Sequence, residues 1–307
     1  MEHLYDLASA HLTQPSVVTI GVFDGVHLGH QHLIRKLVAE ARATNRLAVV
    51  VTFFPHPDIL LRGLTGRYYL TTPEQRAEYL GELGVDTVIT LPFNQEFRQI
   101  RAAVFVDMML EHLKLSSLWV GSDFALGYQR EGTVEFLRAQ GDAKGFTLQV
   151  IDLIVAETDG AISSTAIRDA LLVGDVDNAR DWLGRTYTLT GEVVHGDHRG
   201  RELGFPTANM HIWDEQVIPA NGIYAGWATL GTERFMAATN VGVRPQFDGE
   251  DVRVEAYLLD FDRDIYGQQL TFSFERYLRP EMKFESLQGL IDQINADVQT
   301  AREYLSR

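Results

Sequence analysis

The sequence predicts an α/β chain in two parts, a parallel sheet flanked by helices and then a small antiparallel β-barrel with a C-terminal helix. Three observations lead there. Through the first half, continuous apolar, β-branched runs alternate with segments of helical period, as strands buried on both faces and joined by crossover helices do. From Tyr187 the runs shorten and are separated by Gly, Pro, Asn and Asp, the pattern of antiparallel strands. The tail repeats apolar residues at helical spacing. With 307 residues and 45% hydrophobic content, two domains are the natural expectation.

Taken in order, VVTIGVF (17–23) and LAVVVTF (47–53) read as buried strands. Between them Leu33, Ile34, Leu37, Val38 and Ala41 share a helix face, which makes a right-handed βαβ unit. Further strands are expected at TVITL (87–91), LWVG (118–121) and TLQVID (147–152). The helices before them are PEQRAEYLGEL (73–83), AVFVDMMLEHL (103–113) and TVEFLRAQ (133–140). Two short helices, SSTAIRDALL ending before Gly174 and VDNARDWL ending before Gly184, close this half. A domain boundary is therefore expected between residues 1–185 and 186–307. Beyond it, YTLTGEVV, IYAGWATL, RFMAATNV, VRVEAYLLDF and QLTFSFERYL are short strands, and their small number favours closure into a barrel. In ESLQGLIDQINADVQTAREYL, residues Leu287, Leu290, Ile291, Ile294, Val298, Ala301 and Leu305 fall on one face, which should pack on the barrel.

The formal net charge is −15 and there is no cysteine. An acidic surface repels nucleic-acid backbones and anionic membranes, so neither is an expected partner. An anionic substrate then needs a local helix N-terminus or a metal ion. Lack of cysteine removes disulfides, thiol nucleophiles and cysteine metal sites, and agrees with a reducing compartment. The opening MEHLYDLASAHL lacks the basic and apolar regions of a signal peptide, and no apolar run reaches spanning length. A cytoplasmic protein is expected, with self-association left open.

GVFDGVHLGH (21–30) sits where the first buried strand hands over to a helix, at the carboxyl end where open parallel sheets bind ligands. Gly21 and Gly25 allow a tight turn and Gly29 a close approach. His30 enters the first helical turn, where free N–H groups favour an anion. His27 and His30, three apart, can reach one phosphate, although the stretch carries no lysine. Neither a P-loop nor a G-x-G-x-x-G fingerprint is present. A helix cap with two surface histidines is the plainer reading. A metal site at His27, His30 and His32 has no evident further ligand. ISSTAIRDAL (162–171) adds the hydroxyls of Ser163, Ser164 and Thr165 at a helix N-terminus, with Arg168 one turn in to clamp phosphates.

The His-x-Gly-His segment resembles the signature of the nucleotidyltransferase superfamily. Taken with ISSTAIR, TFFPHP (52–57) and VGSDFALG (120–127), the order along the chain closely resembles the flavin-nucleotide adenylyltransferase module of bacterial FAD synthetases. The resemblance implies a Rossmann-like domain in which His27 and His30 stabilise charge at the α-phosphorus of ATP. It further implies that Gly21, Phe23, Asp24, Gly29, Ser163, Ser164, Thr165 and Arg168 hold the nucleotide and its phosphates, and that Pro55, His56, Asp123 and Phe124 approach the flavin. Val22, Ala125 and Leu126 depart from the residues usual in that family.

GEVVHGDHRGRELGFPTANM (191–210) is the most specific stretch. Gly196, Gly200 and Gly204 make a pliable loop, Arg199 and Arg201 add positive charge, and Pro206 sets the backbone before Thr207 and Asn209. It resembles the riboflavin kinase signature. NGIYAGWA (221–228), NVGVRPQF (240–247) and VRVEAYLLDFDRDIYG (252–267) follow where that family carries counterparts, with Gln246 replacing the usual threonine. Strand alternation puts Val252, Val254, Ala256 and Leu258 on one face and Arg253, Glu255 and Tyr257 on the other. The resemblance implies that Gly196, Arg201 and Gly204 attend ATP and that Thr207 and Asn209 bind the magnesium ion of Mg·ATP. It makes Glu255 the general base toward the riboflavin hydroxyl. The implied activities are phosphorylation of riboflavin to FMN in the C-terminal part and adenylylation of FMN to FAD in the N-terminal part, with Mg2+, ATP and flavins as the small molecules involved. Rival readings are retention of one activity alone, an inactive flavin-binding regulatory protein, and a class I aminoacyl-tRNA synthetase fragment. The last lacks the expected basic charge and lysine-rich second loop.

Overall fold

The computed structural model describes residues 1–151, 162–196, 204–246 and 249–307. Packing divides the chain into two compact units, Met1–Ser164 and Thr165–Arg307.

The first unit is built on a six-stranded sheet of β1 (Glu2–Leu4), β2 (Ser16–Ile20), β3 (Leu47–Phe54), β4 (Thr87–Pro92), β5 (Leu115–Gly121) and β6 (Thr147–Ile151), in the order β1-β4-β3-β2-β5-β6. Every pairing is parallel. Its helices are α1 (Leu28–Ala43), α2 (Pro57–Arg62), α3 (Pro73–Glu82), α4 (Ala102–Leu113) and α5 (Val134–Lys144). Successive residues of each strand serve opposite cores. Val17, Val50 and Val88 pack with Ile34 and Leu37 of α1 and Leu80 of α3. Val18, Val49 and Ile89 pack with Phe105, Val106 and Met109 of α4. This two-sided burial is why the strands read as unbroken apolar runs. The order reverses between β2 and β5, so the loops after these two strands flank the switch point where such sheets bind ligands.

The strands and helices expected here are present, with α1 longer than its apolar stripe because His27 caps it upstream of Leu33. β1 and α2 escaped the sequence pattern. β1 is three residues with no apolar run, and α2 is a six-residue turn started by the cap His56 and by Pro57.

The second unit contains most of α6 (Ser164–Leu172), then α7 (Val176–Leu183), a closed barrel and α8 (Leu287–Leu305). Glycines at positive φ end the two short helices, Gly174 at 81° and Gly184 at 68°. The barrel comprises β7 (Thr188–Val194), β8 (Ala208–Ile212), β9 (Gly222–Leu230), β10 (Glu233–Gln246), β11 (Gly249–Leu258) and β12 (Gln269–Arg279), ringed in the order β10-β11-β8-β7-β12-β9. Leu189, Val193, Val254, Ala256, Phe272 and Phe274 are buried in its core. β8 was not expected, because its short run is half polar and follows the loop-like Phe-Pro-Thr.

Helix α8 packs through Val298, Ala301, Tyr304 and Leu305 onto Ala225 and Ala238. Leu287, expected on the same face, is 60% exposed, because the first helical turn precedes the turns that make this contact. The helix is also clamped by a charge pair: Arg279 Nε and Nη2 donate to Asp297 at 2.8 and 2.6 Å, and Gln293 Nε2 adds a bond of 3.0 Å. Both charges are largely removed from water, so losing one strands the other. Asp297→Ala is therefore expected to destabilise this unit by about 3 kcal/mol, measured by urea denaturation of the variant against the parent.

Candidate active sites

In the first unit the chain after β2 follows an unusual path. Phe23 (φ 53°), Gly25 (φ 80°) and Val26 (φ 41°) all take left-handed conformations, and for a β-branched valine that is a strained state held by its surroundings. The restraints are visible. The Val26 amide donates to Phe23 O at 3.0 Å, and Gln31 Nε2 donates to Val26 O at 3.0 Å. The buried Asp24 carboxylate accepts from the amides of Leu70 (3.1 Å) and Thr71 (3.2 Å) and from the Thr71 hydroxyl (3.2 Å), and the Gly25 amide donates to Thr71 Oγ1 at 3.2 Å. Asp24 thus acts here as the anchor of the loop.

His27 is the N-cap of α1, its Nδ1 accepting from the His30 amide at 3.4 Å, which leaves the proton of a neutral ring on Nε2. The His27 and His30 rings stack with centroids 3.6 Å apart, and Phe23 meets His30 edge-on at 5.2 Å. Two of the glycines exist for this arrangement. A Cβ on Gly29 would stand 3.2 Å from the His27 ring, and one on Gly21 would stand 2.9 Å from the Phe23 ring. The Nδ1 of His30 is enclosed and makes no hydrogen bond. Burial, then His27, then the Arg76 guanidinium push its pKa well below the ordinary value, so the ring is neutral at physiological pH.

Ser163 is half-buried, and Ser164, the last residue of the first unit, donates from its Oγ to Asp24 O at 2.9 Å. Thr165 is exposed and Arg168 buried; both belong to the second unit. Of the residues expected near flavin, Pro55 and His56 follow β3. His56 caps α2 by accepting from the Asp58 amide at 3.0 Å, and its own amide donates to Tyr69 Oη at 2.7 Å. Asp123 and Phe124 follow β5; Asp123 is exposed and Phe124 leans on the α4-side core. These two loops come from opposite sides of β2.

In the second unit the barrel register assembles a row. Glu255 of β11 lies opposite Asn240 of β10 on one side and Asn209 of β8 on the other, and Asn209 lies opposite Val194 of β7. Such cross-strand neighbours stand within contact of one another. Val254 and Ala256 are buried while Glu255 is half-buried on the opposite face, as alternation requires. Gly196 backs onto Asn209, for a Cβ there would stand 2.3 Å from Nδ2. Gly204 takes φ 87°, Thr207 is half-buried, and Phe205 meets Tyr257 edge-on at 5.5 Å. Arg199 and Arg201 lie outside the described residues.

Thr207 and Asn209 offer a hydroxyl and an amide, neutral oxygens that suit a hard cation taking the rest of its shell from phosphates and water. Among the described residues, no group of His, Asp or Glu could hold a metal ion unaided. Sequence reasoning missed Gln31, Thr71 and Arg76 in the first site and Asn240 in the second. Arg76 had a signal: it lies four residues before Leu80 and beside Ala77, on the stripe that α3 buries.

A family model described as FAD synthetase matches residues 9–166, and one described as riboflavin kinase matches residues 183–305. Proteins named bifunctional riboflavin kinase/FMN adenylyltransferase are similar over nearly the whole length. The Listeria monocytogenes protein is 36% identical (95% of this chain, 93% of the relative), and the Pseudomonas fluorescens protein 39% identical (97% and 95%). The Escherichia coli K12 protein is 38% identical (94% and 92%). A crystal structure from Streptococcus pneumoniae, described as a macrolide-efflux protein, superposes with a TM-score of 0.88 at 32% identity and covers 98% of both chains.

Proposed function

The chain belongs to the bifunctional riboflavin kinase/FMN adenylyltransferase family, and from that membership we infer how its two sites divide the work. Riboflavin and ATP give FMN and ADP at the second site; FMN and ATP give FAD and pyrophosphate at the first. The observation that carries this is the presence, in family order on one chain, of both modules with their motif residues.

For the adenylyl transfer, an FMN phosphate oxygen attacks the α-phosphorus of ATP and pyrophosphate leaves. His27 and His30 act as neutral hydrogen-bond donors to the α-phosphate, beside the N-terminus of α1, where charge grows in the transition state. Gly21, Phe23, Asp24 and Gly29 shape the loop that receives the nucleotide. Ser163 and Ser164 attend the phosphates that depart. Pro55, His56, Asp123 and Phe124 receive the flavin, a reading supported by their position in the loops after β3 and β5. Asp24 contributes through the loop, since its oxygens are engaged by Leu70 and Thr71.

For the kinase step, Glu255 takes the proton of the ribityl 5′-hydroxyl as that oxygen attacks the γ-phosphorus of ATP. Thr207 and Asn209 hold magnesium, which when bound offsets phosphate charge. Gly196 keeps the Asn209 amide free of a neighbouring methyl, and Arg201 and Gly204 attend the ATP. Residues 1–185 and 186–307 are the two functional modules in this proposal.

A cytoplasmic location is part of the same reading, supported by the absence of cysteine. Efflux is not favoured: among the described residues no helix is long and apolar enough to cross a membrane. The test is direct. The protein is incubated with riboflavin, ATP and magnesium, and the flavins are resolved by chromatography. FMN followed by FAD is expected, and no conversion would favour an inactive flavin-binding protein.

A further inference from the structure

The loop that carries His27 and His30 has no lysine or arginine of its own, yet a guanidinium is bonded to its backbone at Val22. Arg76 has 0% exposure, an extreme for the longest charged side chain. Its Nη1 donates to Val22 O (3.0 Å), Thr52 Oγ1 (3.1 Å) and Phe53 O (3.2 Å), and Thr52 Oγ1 itself donates to Val22 O at 2.7 Å. Its Nη2 lies 3.9 Å from the Asp24 carboxylate, which is equally buried. Helix α3, which carries it, is fixed at its start by a reciprocal Thr72–Gln75 cap and by Pro73. One guanidinium therefore joins the chain after β2, the end of β3 and the first turns of α3.

We propose that Arg76 is a positioning residue for adenylyl transfer: it locks the histidine loop to the end of β3 and supplies, from below, the fixed positive charge that the loop lacks. This rests on the assignment of the first site to that reaction. The burial is too complete to be explained by solubility, and a buried ion pair is a poor source of stability compared with apolar packing. Its geometry instead fixes both the backbone that delivers His27 and His30 and the strand end that leads to Pro55 and His56. Its field also reaches His30: after burial and the stacked His27, Arg76 is the third influence keeping that ring unprotonated. Substrate thus meets neutral donors over a permanent charge that costs no reorganisation during the reaction.

The test uses the full-length Arg76→Gln and Arg76→Lys proteins, each assayed for FMN adenylylation and, in the same preparation, for riboflavin phosphorylation. R76Q is expected to lose about 100-fold in adenylylation kcat with kinase activity intact. Removing the charge lets His30 protonate at higher pH, so the acidic limb of its rate profile moves upward. R76K keeps the charge but not the planar fork; it should leave that limb in place and lose about 10-fold in kcat. Adenylylation by R76Q within about 3-fold of the parent, or an unmoved acidic limb, overturns the proposal. Should R76Q lose both activities, the decision passes to R76K, for which a parental kcat overturns it. A parent protein that makes no FAD would refute the assignment of the site instead.

Discussion

His30→Ala is expected to slow FAD formation from FMN and ATP at least ~100-fold, while riboflavin is still converted to FMN, which accumulates. The size follows from the state of the ring. His30 is neutral, its Nδ1 is enclosed without a partner, and it stacks on His27 at 3.6 Å, so its loss removes one donor and the support of the other. Pyrophosphate is a stable leaving group, and what the transition state demands is fixed dipoles at the α-phosphate. Time courses resolving riboflavin, FMN and FAD check the prediction; parental FAD formation in a folded variant would remove His30 from the chemistry.

Glu255→Ala is expected to abolish FMN formation while FAD continues to form from supplied FMN. A general base contributes about 10²–10⁴-fold. Here its carboxylate stands between Asn209 and Asn240 in the strand register, so alanine leaves nothing in that position to accept a proton. The two substitutions together separate the sites: each variant should fail at one step and complete the other. If either abolished both reactions while the protein stayed folded, the division of labour would be wrong.

Much of the architecture was legible because it is periodic. β2 and β3 are apolar on both faces and announce a parallel sheet, and Gly174 and Gly184 mark helix ends by a conformation that other residues resist. β8 was hidden because Asn209 and His211 break up its short apolar run and mask the alternation. The histidines were legible as a motif and a helix cap was among the readings of the stretch, but the burial of His27 and the stacking of the two rings were not, since these depend on the strained backbone at Phe23 and Val26. Contacts between residues distant in sequence were the least accessible. Asp24 meets Leu70 and Thr71, and Val22 is gripped through its carbonyl by Thr52 and Arg76, bonds that any residue at position 22 would supply. The presence of valine at position 22 therefore leaves this restraint intact.

The closed barrel gives the Asn240–Glu255–Asn209 row a property that no local contact could. In an open sheet an outer strand can slide and re-pair at modest cost, and a slip by one residue would turn a glutamate to the opposite face. In a ring, the offset accumulated around the circumference is fixed by closure, so a whole strand cannot slide unless its neighbours shift with it. The facing of Glu255 is thus set by the whole circumference: a uniform slip of β11 is blocked by closure, and a change of register is confined to local bulges such as those between β12 and β9.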